Sequence, residues 1–183
     1  MDAKTHDSCR MQALAAVKPH DPARLRRALT GLVIEIFRLN GNLLAAGDAL
    51  VGDLGLSSAR WQVLGTIALS PVPLPVAHIA RNMGLTRQAV QRSVDELRAD
   101  GLVGLVANPH HRRAMLVVMT DEGKAAYRAA LARQEGWADT LAVGLSPDGI
   151  EAAGDLLREL QRRLRAAAAA SAETAPQSAL EGA

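Results

Sequence analysis

Cysteine occurs once in the 183 residues, at position 9, which excludes an internal disulfide framework and a thiolate zinc centre within one chain. Aromatic side chains are almost as scarce, at 2%. The core must therefore be aliphatic, which weighs against a β-sandwich and against RNA-binding folds built on stacking platforms. Net charge is nearly missing too: 21 basic residues face 19 acidic ones, for +2. With so small a total, placement of charge must carry any electrostatic function. No run of about 18 uninterrupted apolar residues is present, and the first twenty residues hold no apolar core of signal-peptide length. The expectation is a cytoplasmic chain with no membrane partner.

What is present suits a soluble helical fold. Hydrophobic residues make up 49% and charged residues 22%, enough apolar surface for a real core. The length allows one domain with appended helices or tails. Residues 1–20 read as a mobile arm, and order is expected to begin at Asp21-Pro22, an acceptor cap followed by a residue suited to the first helical position. Leu25, Leu29, Leu32, Val33, Ile36, Phe37, Leu43 and Leu44 then recur at helical spacing, predicting a long amphipathic first helix within residues 21–55. Ser57 and Ser58 are cap candidates for a second helix with Trp61, Leu64, Ile67 and Ala68 on one side, ended by the prolines at 71, 73 and 75. Val76, Ile79, Ala80 and Met83 share the face of a short third helix, stopped at Gly84.

Thr86 is placed to cap a fourth helix with Val90, Val94 and Leu97 as its buried stripe and Gly101 as its stop. Two helices around so short a turn form a helix-turn-helix candidate. Two β-favouring runs, 102–106 and 115–119, read as a hairpin whose tip carries His110, His111, Arg112 and Arg113. A fifth helix starts at Thr120-Asp121-Glu122 and a sixth at Ser146-Pro147-Asp148, with residues 169–183 left as a disordered tail.

With its apolar stripe inward, the fourth helix turns Arg87, Gln88, Gln91 and Arg92 outward. Arginine can donate two parallel hydrogen bonds to guanine, glutamine can pair with adenine, and a helix fits the major groove. Thr86 and the helix N-terminus suit a phosphate, and Ser58 joins the expected DNA contacts. On an isolated helix such residues would merely solvate a face; following a helix-turn they read as a recognition surface. Arg112 and Arg113 at the hairpin tip can reach a phosphate ridge or a narrow minor groove, so the hairpin reads as a wing.

The order of elements and several strings resemble the MarR family of winged helix-turn-helix regulators: residues 56–64 (LSSARWQVL), 79–90 (IARNMGLTRQAV), 97–103 (LRADGLV), the wing 108–113 (NPHHRR), and Leu116 followed by 120–123 (TDEG). The resemblance spans roughly residues 22–165. It implies a mainly α fold with a small β-hairpin wing: a DNA-binding lobe at 56–119, flanked by N- and C-terminal dimerisation helices at 21–55 and 120–168. It further implies a homodimer on a pseudo-palindromic operator in double-stranded DNA, acting as a repressor and released by a small aromatic or anionic effector. One departure stands out: where the family wing commonly has an acidic residue before its arginines, this chain has His111. An aspartate there would orient an arginine by a bidentate pair; histidine cannot.

Other chemistry is weaker. Trp61 is first a core residue. As a minor reading, Phe37, Arg38, Arg60 and Trp61 bound a crevice for an aromatic anion. The histidines lack ligand spacing, so no metal and no cofactor are expected. No Gly-rich phosphate loop, nucleophile elbow or separable Ser/His/acid set suggests an enzyme. Two further readings stay open: thiol-based sensing through Cys9, and a winged helix that binds protein without DNA affinity.

Overall fold

The structure, a computed structural model, describes residues 21–111 and 113–174, in two compact units divided between Gln134 and Glu135. The arm at 1–20, with Cys9, lies outside the described residues, as do Arg112 and residues 175–183.

The first unit opens with α1 (Pro22–Val51), whose first free N–H groups are met by Asp21: its carboxylate accepts from the Ala23 N–H at 2.9 Å, with Pro22 where no donor is needed. A 3₁₀ turn (Gly52–Leu54) leads to α2 (Ser58–Ala68), the short strand β1 (Leu74–Pro75), α3 (Val76–Met83), α4 (Arg87–Ala99), β2 (Val103–Val106), β3 (Leu116–Met119) and the start of α5 (Asp121–Ala142). One aliphatic core joins them: Val63 and Leu64 of α2, Ile79 of α3, Val90, Val94 and Leu97 of α4, and Val117 of β3 are all essentially inaccessible. Val51 enters the same core, so the end of α1 belongs structurally to the lobe that follows it.

The α2 stripe differs from expectation at its edges. Its buried arc centres on Val63, Leu64 and Ile67, which leaves Trp61 partly buried at the rim and Ala68 exposed. The proline segment does more than end α2. Leu74 pairs with Val117 and Pro75 with Leu116, making a three-stranded antiparallel sheet ordered β1-β3-β2. Proline is tolerated there because β1 is an edge strand with a free side.

α1 with its trailing turn spans 33 residues and contains an 18-residue stretch of mean hydropathy 1.2, long and apolar enough to cross a membrane by length and composition. That average conceals polar interruptions. Glu35 and Arg38 form an ion pair at 2.9 Å, and Asn40 and Asn42 follow. Its apolar side chains are largely open to solvent in the single chain: Leu25 is 59% and Phe37 73% exposed.

The second unit holds the rest of α5 and then α6 (Pro147–Thr174), capped by Ser146, whose hydroxyl accepts from the Gly149 N–H at 3.4 Å. α6 continues past residue 168, where the tail was expected. Its alanines at 166–170 have the highest helix propensity of any residue, so the helix propagates through them. On α6, hydrogen bonds from Arg162 and then Arg163 hold the Glu159 carboxyl down at about 2.

Candidate nucleic-acid interface

The turn between α3 and α4 is built by local chemistry. Gly84 takes a left-handed conformation, φ 67°. From there the Gly84 N–H donates to the Arg81 carbonyl at 3.3 Å and the Leu85 N–H to the Ala80 carbonyl at 2.9 Å, closing the end of α3. Two residues on, the Thr86 hydroxyl accepts from the Ala89 N–H at 3.2 Å and starts α4. Burial of Val90, Val94 and Leu97 then fixes the rotation of α4. Its other face carries the residues that the sequence singled out.

Arg87, Gln88, Gln91 and Arg92 border one shallow, open depression of about 670 Å³, together with Asp95 and Glu96. Arg87 and Gln88 are exposed, with no hydrogen bond or ion pair to another described residue. Gln91 is partly buried and its Nε2 donates to Asp95 Oδ1 at 2.9 Å. Arg92 donates from Nε to Glu96 Oε1 at 3.0 Å. The two acids were missed in the sequence, although their i,i+4 spacing from Gln91 and Arg92 is a readable signal for side chains that meet on a helix.

Ser58 must be removed from the candidate DNA contacts. It is 4% exposed: its N–H donates to Asp48 Oδ1 at 2.6 Å and its hydroxyl accepts from Gln62 Nε2 at 3.2 Å. The cap of α2 is Ser57, which accepts from the Arg60 N–H at 3.3 Å. Ser58 is thus a joint between α1 and α2, out of reach of any macromolecule.

The wing is the β2–β3 hairpin, paired from Val103↔Met119 to Val106↔Leu116. Its loop is shaped at Asn108. The side-chain oxygen of Asn108 accepts from the His110 N–H at 3.0 Å and its carbonyl from the His111 N–H at 3.3 Å, with Pro109 presetting the turn. Arg113 is exposed and makes no hydrogen bond or ion pair with another described residue; Arg112 lies outside the described residues.

The proposed aromatic-anion crevice does not assemble. Arg60 is only 17% exposed at its side chain. It is spent on Asp100 at 2.6 Å and on the carbonyl of Gly55. Arg38 pairs with Glu35, Phe37 is solvent-facing, and Trp61 packs against the core. A guanidinium already neutralised by a carboxylate has little left for a ligand. Among the described residues no three His, Cys, Asp or Glu side chains could hold a metal ion together.

Comparison with known proteins gives this geometry a context. The family model described as MarR family matches residues 54–114, from the 3₁₀ turn through the wing. The uncharacterized protein Rv2011c of Mycobacterium tuberculosis is 35% identical over 135 residues, 74% of this chain and 93% of that one. The transcriptional activatory protein BadR of Rhodopseudomonas palustris is 28% identical over 95 residues, 51% of this chain and 54% of its own. Among solved structures, CouR from Rhodococcus jostii bound to p-coumaroyl-CoA superposes with TM-score 0.64 at 25% identity, covering 70% of this chain and 90% of that one. The M. tuberculosis regulator MosR in complex with DNA gives 0.60 at 22%, covering 71% and 96%. With the family's model laid over the helix-turn-helix and wing, and its fold shared across the chain, this protein belongs to the MarR family of transcription regulators.

Proposed function

We propose that the chain acts as a cytoplasmic, non-enzymatic homodimer that binds a pseudo-palindromic operator in double-stranded DNA and represses transcription until a small aromatic or anionic effector releases it. The observation that carries this reading is the solvent face of α4, where Arg87, Gln88, Gln91 and Arg92 gather beyond a helix-turn while the opposite face is locked in the core. In this reading α4 enters the major groove, Thr86 and the N-terminus of α4 meet a phosphate, and Arg113 on the wing meets the flanking groove. MosR, with the same fold, was solved on DNA.

Dimerisation is supported by the exposed apolar residues of α1 and α6, Phe37 at 73% and Leu164 at 71% among them, more than a lone helix in water needs. Residues 21–55 and 120–168 supply the association surface in this reading, and 56–119 the DNA-binding lobe. An effector is supported by CouR, which was solved with an aromatic thioester bound. Since Arg60 is already paired, that effector needs a site other than the Phe37, Arg38, Arg60 and Trp61 set.

The test is binding of the full chain to duplex DNA from its own promoter region, mapped by nuclease protection at several salt concentrations. Symmetric protection with affinity falling steeply in salt is the expected result. Arg87→Ala should cost about 1–3 kcal/mol per subunit and relax preference at particular base pairs, and Arg113→Ala should weaken all sequences alike and flatten the salt slope. Absence of binding even at low salt would favour a protein-binding winged helix. A promoter fusion separates repression from the activation that BadR's name records.

A further inference from the structure

Gln91 and Asp95 sit one turn apart on the exposed face of α4, with the glutamine amide nitrogen 2.9 Å from a carboxylate oxygen of the aspartate. An ionised carboxylate only accepts hydrogen bonds, so it can face the nitrogen end of an amide and never the oxygen end. The orientation of the Gln91 amide, which a free glutamine would choose anew with each partner, is thereby set before any ligand arrives. Partial burial of Gln91 restricts its side chain further.

We propose that Asp95 is a positioning residue that sets base preference. It takes one of the two Gln91 N–H groups and so fixes which way the amide oxygen points, leaving that oxygen with a single remaining N–H to the DNA, so that Gln91 favours a base offering an amino group in the major groove. Adenine presents its N6 amino group there and cytosine its N4, whereas guanine shows only the N7 and O6 acceptors and thymine O4 with a methyl group. A glutamine free to turn could instead donate both its N–H groups to guanine; the held one cannot without breaking its bond to Asp95. The carboxylate adds to the bias, because it accepts from amino groups and repels the oxygens of guanine and thymine. Arg92 beside it is held differently: Glu96 takes only its Nε, so both terminal nitrogens stay available as donors. The same face thus presents a fixed acceptor next to a free pair of donors.

This inference rests on α4 being the DNA-reading element, and the experiment separates the two ideas. Full-length wild type, Asp95→Ala, Asp95→Asn, Gln91→Ala and the Gln91→Ala/Asp95→Ala double variant are each selected against the protected operator with every position randomised. Wild type is expected to favour adenine or cytosine about tenfold or more at one position per half-site, the range of a good base contact. Asp95→Ala should reduce that ratio to about threefold or less yet keep total affinity within about threefold, because losing a like charge near phosphate offsets the lost contact. Asp95→Asn keeps an acceptor that can itself turn, and should fall between. The double variant should reproduce the profile of Gln91→Ala. Undiminished preference in Asp95→Ala, or a wild-type preference for guanine or thymine at the position that Gln91→Ala relaxes, overturns the positioning role alone. Wild type with no preference at any position overturns the DNA-reading assignment and this role with it.

Discussion

The carboxylate of Asp53, in the turn that ends α1, is gripped by the guanidinium of Arg133 from α5, eighty positions along the chain. Nη2 donates to Oδ2 at 2.8 Å, while Nη1 donates to the other oxygen of Asp53 and to the carbonyl of Leu50 at 3.0 Å. Arg60 of α2 donates to the carbonyl of Gly55, just past the same turn. The short link between α1 and the winged lobe is therefore held twice, by arginines that come from α2 and α5.

That grip predicts an acid response. The hydrogen bond from Arg133, with its charge behind it, holds the Asp53 carboxyl below its ordinary 3.8. A carboxyl whose folded value lies below its unfolded one adds stability above the unfolded value and loses it as pH falls through the folded one. Denaturant unfolding of wild type and Asp53→Asn should show a gap that is constant from neutral pH to about 5 and closes below about pH 4. A gap that is the same at low pH would mean that Arg133 does not discriminate the charged form.

Legibility in the sequence followed the range of the interaction that places each residue. Thr86, Gly84 and the stripe of Val90, Val94 and Leu97 were readable because a cap, a left-handed turn and a helical period are all decided within a few residues. Ser58, Arg60 and the edge strand at Leu74-Pro75 were not. Their partners, Asp48, Asp100 and Val117, lie 10, 40 and 43 positions away, and no local pattern announces them. Gln91 and Arg92 lie opposite the buried stripe, as the helical period places them, whereas Asp95 and Glu96 were not singled out, although their i,i+4 spacing brings an acceptor to each donor.

At the start of α5 the helix passes so close to the turn after α4 that a Cβ on Gly123 would lie 1.9 Å from the Leu102 carbonyl oxygen. Thr120 fastens the same place: its hydroxyl donates to the Gly101 carbonyl at 2.8 Å and accepts from the Gly123 N–H at 3.0 Å. Because the obstacle is backbone rather than a flexible side-chain end, Gly123→Ala should destabilise the fold by about 2 kcal/mol or more. Chemical denaturation reads this directly, and an unchanged midpoint would show that the two segments can separate at no cost.

Ser58 and Arg87 offer opposite signatures. Ser58→Ala removes a buried hydroxyl and leaves the Gln62 amide short of one acceptor, so it should lower stability by about 1 kcal/mol while leaving operator affinity unaltered below the melting temperature. Arg87→Ala, on an exposed side chain without a described partner, should leave stability within about 0.5 kcal/mol and lower affinity. Melting curves and DNA titrations on the two variants decide it. A loss of affinity in folded Ser58→Ala would return that residue to the interface.

Phe37 tests the assembly. In the single chain its ring is 73% exposed on α1, with Leu25, Ile34 and Leu39 also open to water. A charge placed on a truly solvated face alters stability by no more than about 0.5 kcal/mol, whereas a charge buried in an apolar interface without a partner costs several times that. Phe37→Glu should therefore shift dimer dissociation to at least about tenfold higher protein concentration, since each 1.4 kcal/mol is a factor of ten. Sedimentation over a dilution series measures the shift. Wild-type melting should rise with protein concentration, as folding linked to association requires, and the variant's rise should begin only where its dimer re-forms. Unchanged dissociation in Phe37→Glu would place the contact between subunits on another surface and leave the apolar stripe of α1 without its assigned role.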